Sequence, residues 1–289
     1  MVRLYKYAPI ARIDILLNEA IRYTQPSALN DPYEMRVDFE SFTLDDYSHF
    51  TGLSAAYATP EGASKYYDDL PEDLRSVLPI TKEEFIARCL NVTKDPSGLA
   101  ESTITLMRRL APSIARAWLN AIDNAIGILS LSEVPDNLLM WSHYADQHNG
   151  IVIEFNSRHP TLNRAGSEPK DFHSCLRVTY SRARTTILNH YNLAKLLTKA
   201  EDWSYEKEWR IIKPLDEAKD IRPSAPFNIH LMEMPADCIK RVIFGARIPV
   251  EVVAEEAQKI RSQSKMSHVK LTRATLKIGE FGLDIDEPV

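Results

Sequence analysis

At 289 residues, with 44% hydrophobic and 26% charged, the chain can bury a sizeable core, and its composition excludes a disordered polypeptide. A formal net charge of -5 gives no general nucleic-acid-binding signal. There is no apolar leader and no run of transmembrane length, so a soluble cytoplasmic protein without a membrane partner is expected.

In chain order, Leu4-Tyr5-Lys6-Tyr7 reads as a strand, with Tyr5 and Tyr7 on one face and Lys6 on the other. Ile13, Leu16, Leu17 and Ala20 then recur at helical spacing, and Ile21-Arg22-Tyr23 reads as a short strand. Asn30-Asp31-Pro32 is a turn signal, because Asn and Asp bond the local backbone and Pro fixes the next φ. Residues 41–126 are expected to be mostly helical, as an insertion or cap over a mixed sheet within a single domain spanning 1–289. Ile104, Met107, Leu110, Ile114, Ala117, Trp118, Ala121, Ile122 and Ala125 carry that periodicity, and Pro112 marks a kink or division.

Gly127–Ser132 reads as a buried strand, and Asp136 and Asn137 as caps of a short helix through Tyr144. On that helix His143 and Asp146, three apart, are expected to share a face. His143 and Tyr144 are candidates to line a pocket for a planar ligand. Ile151–Phe155 is a strand, Leu176–Tyr180 another, and residues 184–200 a helix. The prolines of 213–235 predict a long loop. Ile239–Phe244 is a strand, Val250–Arg261 a helix, and Val269–Leu276 the last strand. This uneven alternation predicts an α+β fold with a mixed, mostly antiparallel sheet core. No GxGxxG or GxxxxGK[ST] motif supports a dinucleotide or phosphate-loop fold.

The most informative run is Trp203-Ser204-Tyr205-Glu206-Lys207-Glu208-Trp209-Arg210. Read as a strand, it sends Glu206, Glu208 and Arg210 to one face. Burying that many charges is costly without a use or a set of partners. A functional site and a network that merely holds the sheet together both fit. Cysteines stand at 89, 175 and 238 without a CxxC, and none has a histidine at a telling spacing, so all read as small buried hydrophobes. No HExxH occurs, and no metal ligands are assigned.

Several of these pieces together resemble the bacterial DUF2971 family: Tyr5-Lys6-Tyr7, Asn30-Asp31-Pro32-Tyr33-Glu34, Leu139 to Asp146, Gly150 to Phe155, Trp203 to Arg210, and Val242 to Gly245. That family name brings no chemistry with it. The N-terminal arrangement and Glu206-Lys207-Glu208 are also similar to the opening and the Glu-x-Glu strand of NAD-dependent ADP-ribosyltransferase folds. This second resemblance implies NAD as cofactor and ADP-ribosyl transfer or NAD hydrolysis as the activity, with an unidentified macromolecular or small-molecule acceptor. Glu208 would be the catalytic carboxylate and Glu206 would assist the acceptor. Tyr5, Lys6, Tyr7, Asn30, Asp31, His143, Tyr144 and Arg210 would bind the cofactor. The His or Arg usual on the first strand is missing, so Lys6 or a flanking tyrosine would take its place. The competing class is a non-catalytic binding or regulatory protein in bacterial stress or phage defence. It predicts that Glu206, Glu208 and Arg210 close into a salt-bridge network, whereas an enzyme leaves Glu208 reachable from a cleft beside the Tyr5–Tyr7 strand.

Overall fold

Alternation in Leu4–Ala8 builds strand β1, and the computed structural model, which describes residues 2–36, 59–70, 72, 75, 78, 80–91, 96–162, 174–184 and 197–289, places it inside a sheet. The strands are β2 (Ala20–Tyr23), β3 (Ile126–Ser132), β4 (Ile151–Phe155), β5 (Cys175–Arg177), β6 (Thr179–Ser181) and β7 (Thr198–Ala200). They continue with β8 (Glu208–Pro214), β9 (Asp220–Arg222), β10 (Ile229–Glu233), β11 (Ile239–Phe244), β12 (Lys270–Leu276) and β13 (Leu283–Pro288). The helices are α1 (Asp14–Asn18), α2 (Pro60–Asp69), α3 (Lys82–Asn91), α4 (Pro96–Ala125), α5 (Leu138–Tyr144) and α6 (Val250–Arg261). The fold is α+β, with mostly antiparallel sheets.

The chain divides into two compact units, one of Met1–Pro32, Asn124–Arg182 and Lys199–Val289, the other of Tyr33–Asp123 and Ala183–Thr198. The first holds an eight-stranded sheet in the order β13-β12-β11-β4-β1-β3-β8-β5. Its neighbours are antiparallel except β11 and β12, which run parallel and are connected through α6. A three-stranded antiparallel sheet, β2-β10-β9, meets it at the Thr24–Ile128 bridge.

Period two sorts the side chains into two cores. Leu4, Ala8, Leu129, Leu131, Ile151 and Ile153 share a cluster with Val253, Ala257 and Ile260 of α6. Tyr5, Tyr7, Val152 and Ile243 face a second cluster with Met140 and Trp141 of α5. β1 pairs with β4 along its whole length but with β3 only at Tyr5 and Ser132. Beyond that point Lys6 Nζ donates to the Ser130 carbonyl at 3.0 Å, meeting a backbone acceptor that a longer ladder would have used.

In the second unit Thr59 caps α2 by accepting from Gly62 N at 3.1 Å, with Pro60 at the first helical position. Thr81 and Glu84 form a reciprocal capping box at α3. Phe85 packs on Tyr66 and Tyr67, and Lys82 bonds Asp68 at 2.7 Å. α4 runs unbroken through Pro112. The expected helicity of 41–58 lies outside the described residues.

Several expectations need correction. Residues 203–206 are not strand but the end of a 3-10 turn, Glu201–Glu206, and Lys207 takes φ 43, so β8 begins only at Glu208. Thr198–Ala200 is strand rather than the end of a helix, and 185–196 lies outside the described residues. Leu176–Tyr180 is two strands in different sheets: β5 pairs with β8, a ladder that Val178 N–H prolongs by bonding Glu208 O, and β6 then pairs with β7. The presumed loop 213–235 contains β9 and β10, since Ile229–Glu233 finds partners on both edges. β12 is followed by a further strand, β13.

Candidate functional site

The charged run is assembled by a corner. Ser132 Oγ donates to Glu206 O at 2.6 Å and Glu133 N to Lys207 O at 3.2 Å, so β3 pins the 3-10 turn where it enters β8. The left-handed Lys207 then reverses the path, bringing Glu206 next to Glu208 although only Glu208 is on the strand. Arg210 follows two residues on, on the same face as Glu208.

These groups form a buried network with Lys199 of β7. Arg210 is 0% exposed, Glu206 3%, Glu208 4% and Lys199 5%. Arg210 Nε donates to Glu208 Oε1 at 2.7 Å and Nη2 to Oε2 at 2.9 Å, the two-pronged fit of guanidinium to carboxylate. Lys199 Nζ donates to Glu206 Oε2 at 2.6 Å and, more weakly, to Glu208 Oε2 at 3.4 Å. Its ammonium also lies 4.6 Å from the Trp203 ring centre. The second Glu206 oxygen accepts from Tyr144 Oη at 2.6 Å, and Tyr144 Oη accepts from Asn30 Nδ2 at 2.8 Å. Tyr180 Oη accepts from Glu208 N at 2.8 Å. A continuous chain of hydrogen bonds therefore runs from exposed Asn30 through half-buried Tyr144 to fully enclosed Arg210.

The two carboxyls respond in opposite directions. Burial pushes Glu206 up, and Lys199 only partly offsets it. Burial also pushes on Glu208, but the charge and hydrogen bonds of Arg210, aided by Lys199, prevail and hold it down at about 2. Burial and then Glu206 raise the Tyr144 hydroxyl. Burial lowers Lys6 against the opposing pull of Glu208 and Glu206.

Of the residues singled out in the sequence, Glu206, Glu208, Arg210, Tyr144 and Asn30 come together. His143 is exposed beside them, its Nδ1 3.2 Å from Tyr205 Oη. Lys6 touches the edge of the network through the carbonyl of Ser130, whose side chain bonds Glu208. Tyr5 and Tyr7 are core residues: Tyr7 Oη donates to Val134 O at 2.7 Å, and its ring meets Trp141 edge-on at 5.6 Å. Asp31 is buried beside Asn30 in the chain. Asp146 does not share a helix face with His143, because α5 ends at Tyr144 and Asp146, Gln147 and His148 take φ values of 46, 52 and 71. Lys199, Tyr180 and Tyr205 were missed. Lys199 lay in a presumed helix, and the alternation in Leu197–Ala200 was too short to mark a strand.

A second cluster was also missed. Cys238 Sγ lies 2.8 Å from His159 Nδ1, and His159 Nε2 lies 3.2 Å from Asp237 Oδ1. Spatial proximity thus supplies the histidine partner that local spacing did not. Burial pushes the Cys238 thiol up to about 12, which argues against a free nucleophile.

Comparison with known proteins adds one match. The model of a family described as a protein of unknown function (DUF2971) matches residues 140–211, from α5 to the middle of β8. That stretch carries Tyr144, Lys199, Glu206, Glu208 and Arg210. No curated protein matches the chain. No solved structure matches it. Among the described residues, no helix is long and apolar enough to cross a membrane.

Proposed function

We propose that this chain is a non-catalytic binding or regulatory protein, with Glu206, Glu208, Arg210 and Lys199 framing a binding face and Asn30, His143, Tyr144 and Tyr205 as its contact groups. The observation that carries this reading is the occupancy of Glu208. Both of its oxygens are taken by Arg210, and its side chain is enclosed. A carboxylate neutralised in this way has little field left to stabilise a cationic transition state. The exposed imidazole and the half-buried phenols suit a planar, polar ligand, since such rings offer an apolar face and a polar tip.

A second reading, NAD-linked ADP-ribosyl transfer or NAD hydrolysis, is favoured by one feature. Glu206 connects through half-buried Tyr144 to exposed Asn30, so it is the carboxyl of the pair linked to the surface. In this reading Glu206, rather than Glu208, would face the ribose as positive charge develops on it, and Tyr144 would contact the cofactor.

One experiment separates the two. Purified wild-type protein and the Glu206→Gln and Glu208→Ala variants are incubated with NAD and assayed for nicotinamide. The binding reading expects no release above buffer from any of them. Release by wild type that is lost in Glu206→Gln would overturn it in favour of NAD chemistry.

A further inference from the structure

We propose that Cys238, His159 and Asp237 form a site for a divalent metal ion, with zinc as the best match. The three side chains come from two loops, His159 following β4 and Asp237 and Cys238 on the 3-10 turn Ala236–Cys238 before β11. A backbone bond holds those loops together, Asn156 N donating to Cys238 O at 2.6 Å, and His159 N donates to Asn156 O at 2.9 Å to close the turn that carries the imidazole. One donor atom from each residue lies within 4.8 Å of the others.

The chemistry of the donors selects the ion. A thiolate, an imidazole and a carboxylate suit zinc, whereas magnesium, calcium and manganese prefer oxygen alone. With neutral imidazole, the two anionic ligands and a divalent ion sum to zero charge. That matters because Cys238 is buried in the main core cluster. Three protein donors leave a fourth position for water or another ligand.

Accessibility is graded in a useful way. Asp237 is 74% exposed in its side chain and His159 17%, so an ion can approach from the carboxylate side and settle toward the buried sulfur. Zinc bonds of about 2.3 Å to sulfur and about 2.0 Å to nitrogen put those ligand atoms roughly 3.5 Å apart. Sγ and Nδ1 are now 2.8 Å apart, so they must separate by under ~1 Å. Nδ1 also accepts from Thr161 N at 3.2 Å, a bond the ion would replace. The exposed Asp237 carboxylate swings from Nε2 to complete the set. A metal–sulfur bond forms as the S–H bond breaks, and the proton passes to solvent.

The test is cobalt titration of the metal-stripped full chain, followed by its thiolate-to-metal charge-transfer absorption and by displacement with zinc. The expected result is one equivalent of cobalt with that absorption, which zinc removes. Cys238→Ser should abolish it, while Cys89→Ser and Cys175→Ser should keep it. Asp237→Ala, at an exposed position that leaves the core intact, should weaken binding about 10-fold or more. Absence of the absorption in folded wild type, or its survival in Cys238→Ser, overturns the site. Unchanged affinity in Asp237→Ala does so too, even if the cysteine variant fails to fold.

Discussion

At the scale of single residues, the buried network is governed by how its charges are paired. Glu208 is held at about 2, below its ordinary value, chiefly because Arg210 outweighs the cost of burial. Such a depressed group adds stability that is fully present above about pH 5 and is lost as pH falls toward 2. The size of the shift corresponds to about 3 kcal/mol. Glu206 acts in the opposite sense, since its raised value favours the folded state most while it is protonated, and that contribution fades as pH rises through the raised value. Urea unfolding of wild type and Glu208→Gln across pH 2–7 should therefore show the variant less stable at neutral pH, with the gap shrinking as pH falls from about 5 to 2. A gap that stays constant with pH would show that Glu208 is not ionised against Arg210.

At the scale of elements, close backbone approach decides where α5 ends. A Cβ on Gly245 would collide with the His148 carbonyl, and one on Gly150 with the Ala8 carbonyl. Gly245 N bonds Gly150 O at 2.9 Å and Arg247 N bonds His148 O at 3.1 Å, so the left-handed residues Asp146–His148 are held against the start of β4 and the end of β11. Gly245→Ala should cost roughly 1–3 kcal/mol, measured as a shift in the urea midpoint with an unchanged slope. A neutral outcome would mean that the loop moves aside. The same elements show what the sequence made legible. α5, β4, β11 and α6 were readable because a cap, a glycine or an apolar period marked them. The turn Glu201–Glu206 was not, since its polar and aromatic residues mimic period two, and only the left-handed Lys207 reveals the corner. Glu206, Glu208 and Arg210 were found because charge in an aromatic setting is conspicuous. Lys199 was not, because its strand is too short to show an alternation, and the His159–Asp237–Cys238 cluster was not, because two loops distant in sequence bring it together.

At the scale of the whole molecule, β1 joins two half-sheets, β4-β11-β12-β13 on one side and β3-β8-β5 on the other. Its side chains enter both cores, Leu4 and Ala8 on one face and Tyr5 and Tyr7 on the other. Deleting residues 2–8 should abolish cooperative unfolding in calorimetry, because each half-sheet then keeps an open apolar edge. A single sharp transition near the wild-type temperature would show that the halves close without it.

The position of β1 also sets an order of events on the ribosome. Tyr7 finds its hydroxyl partner Val134 only 127 residues later. At synthesis rates of about 5–20 residues per second, that is roughly 6–25 s during which the nascent strand has neither neighbour. Throughout that interval its two tyrosines and Leu4 remain open to whatever else the emerging chain meets, which makes this short segment a point at which a chaperone would be of most use to the protein.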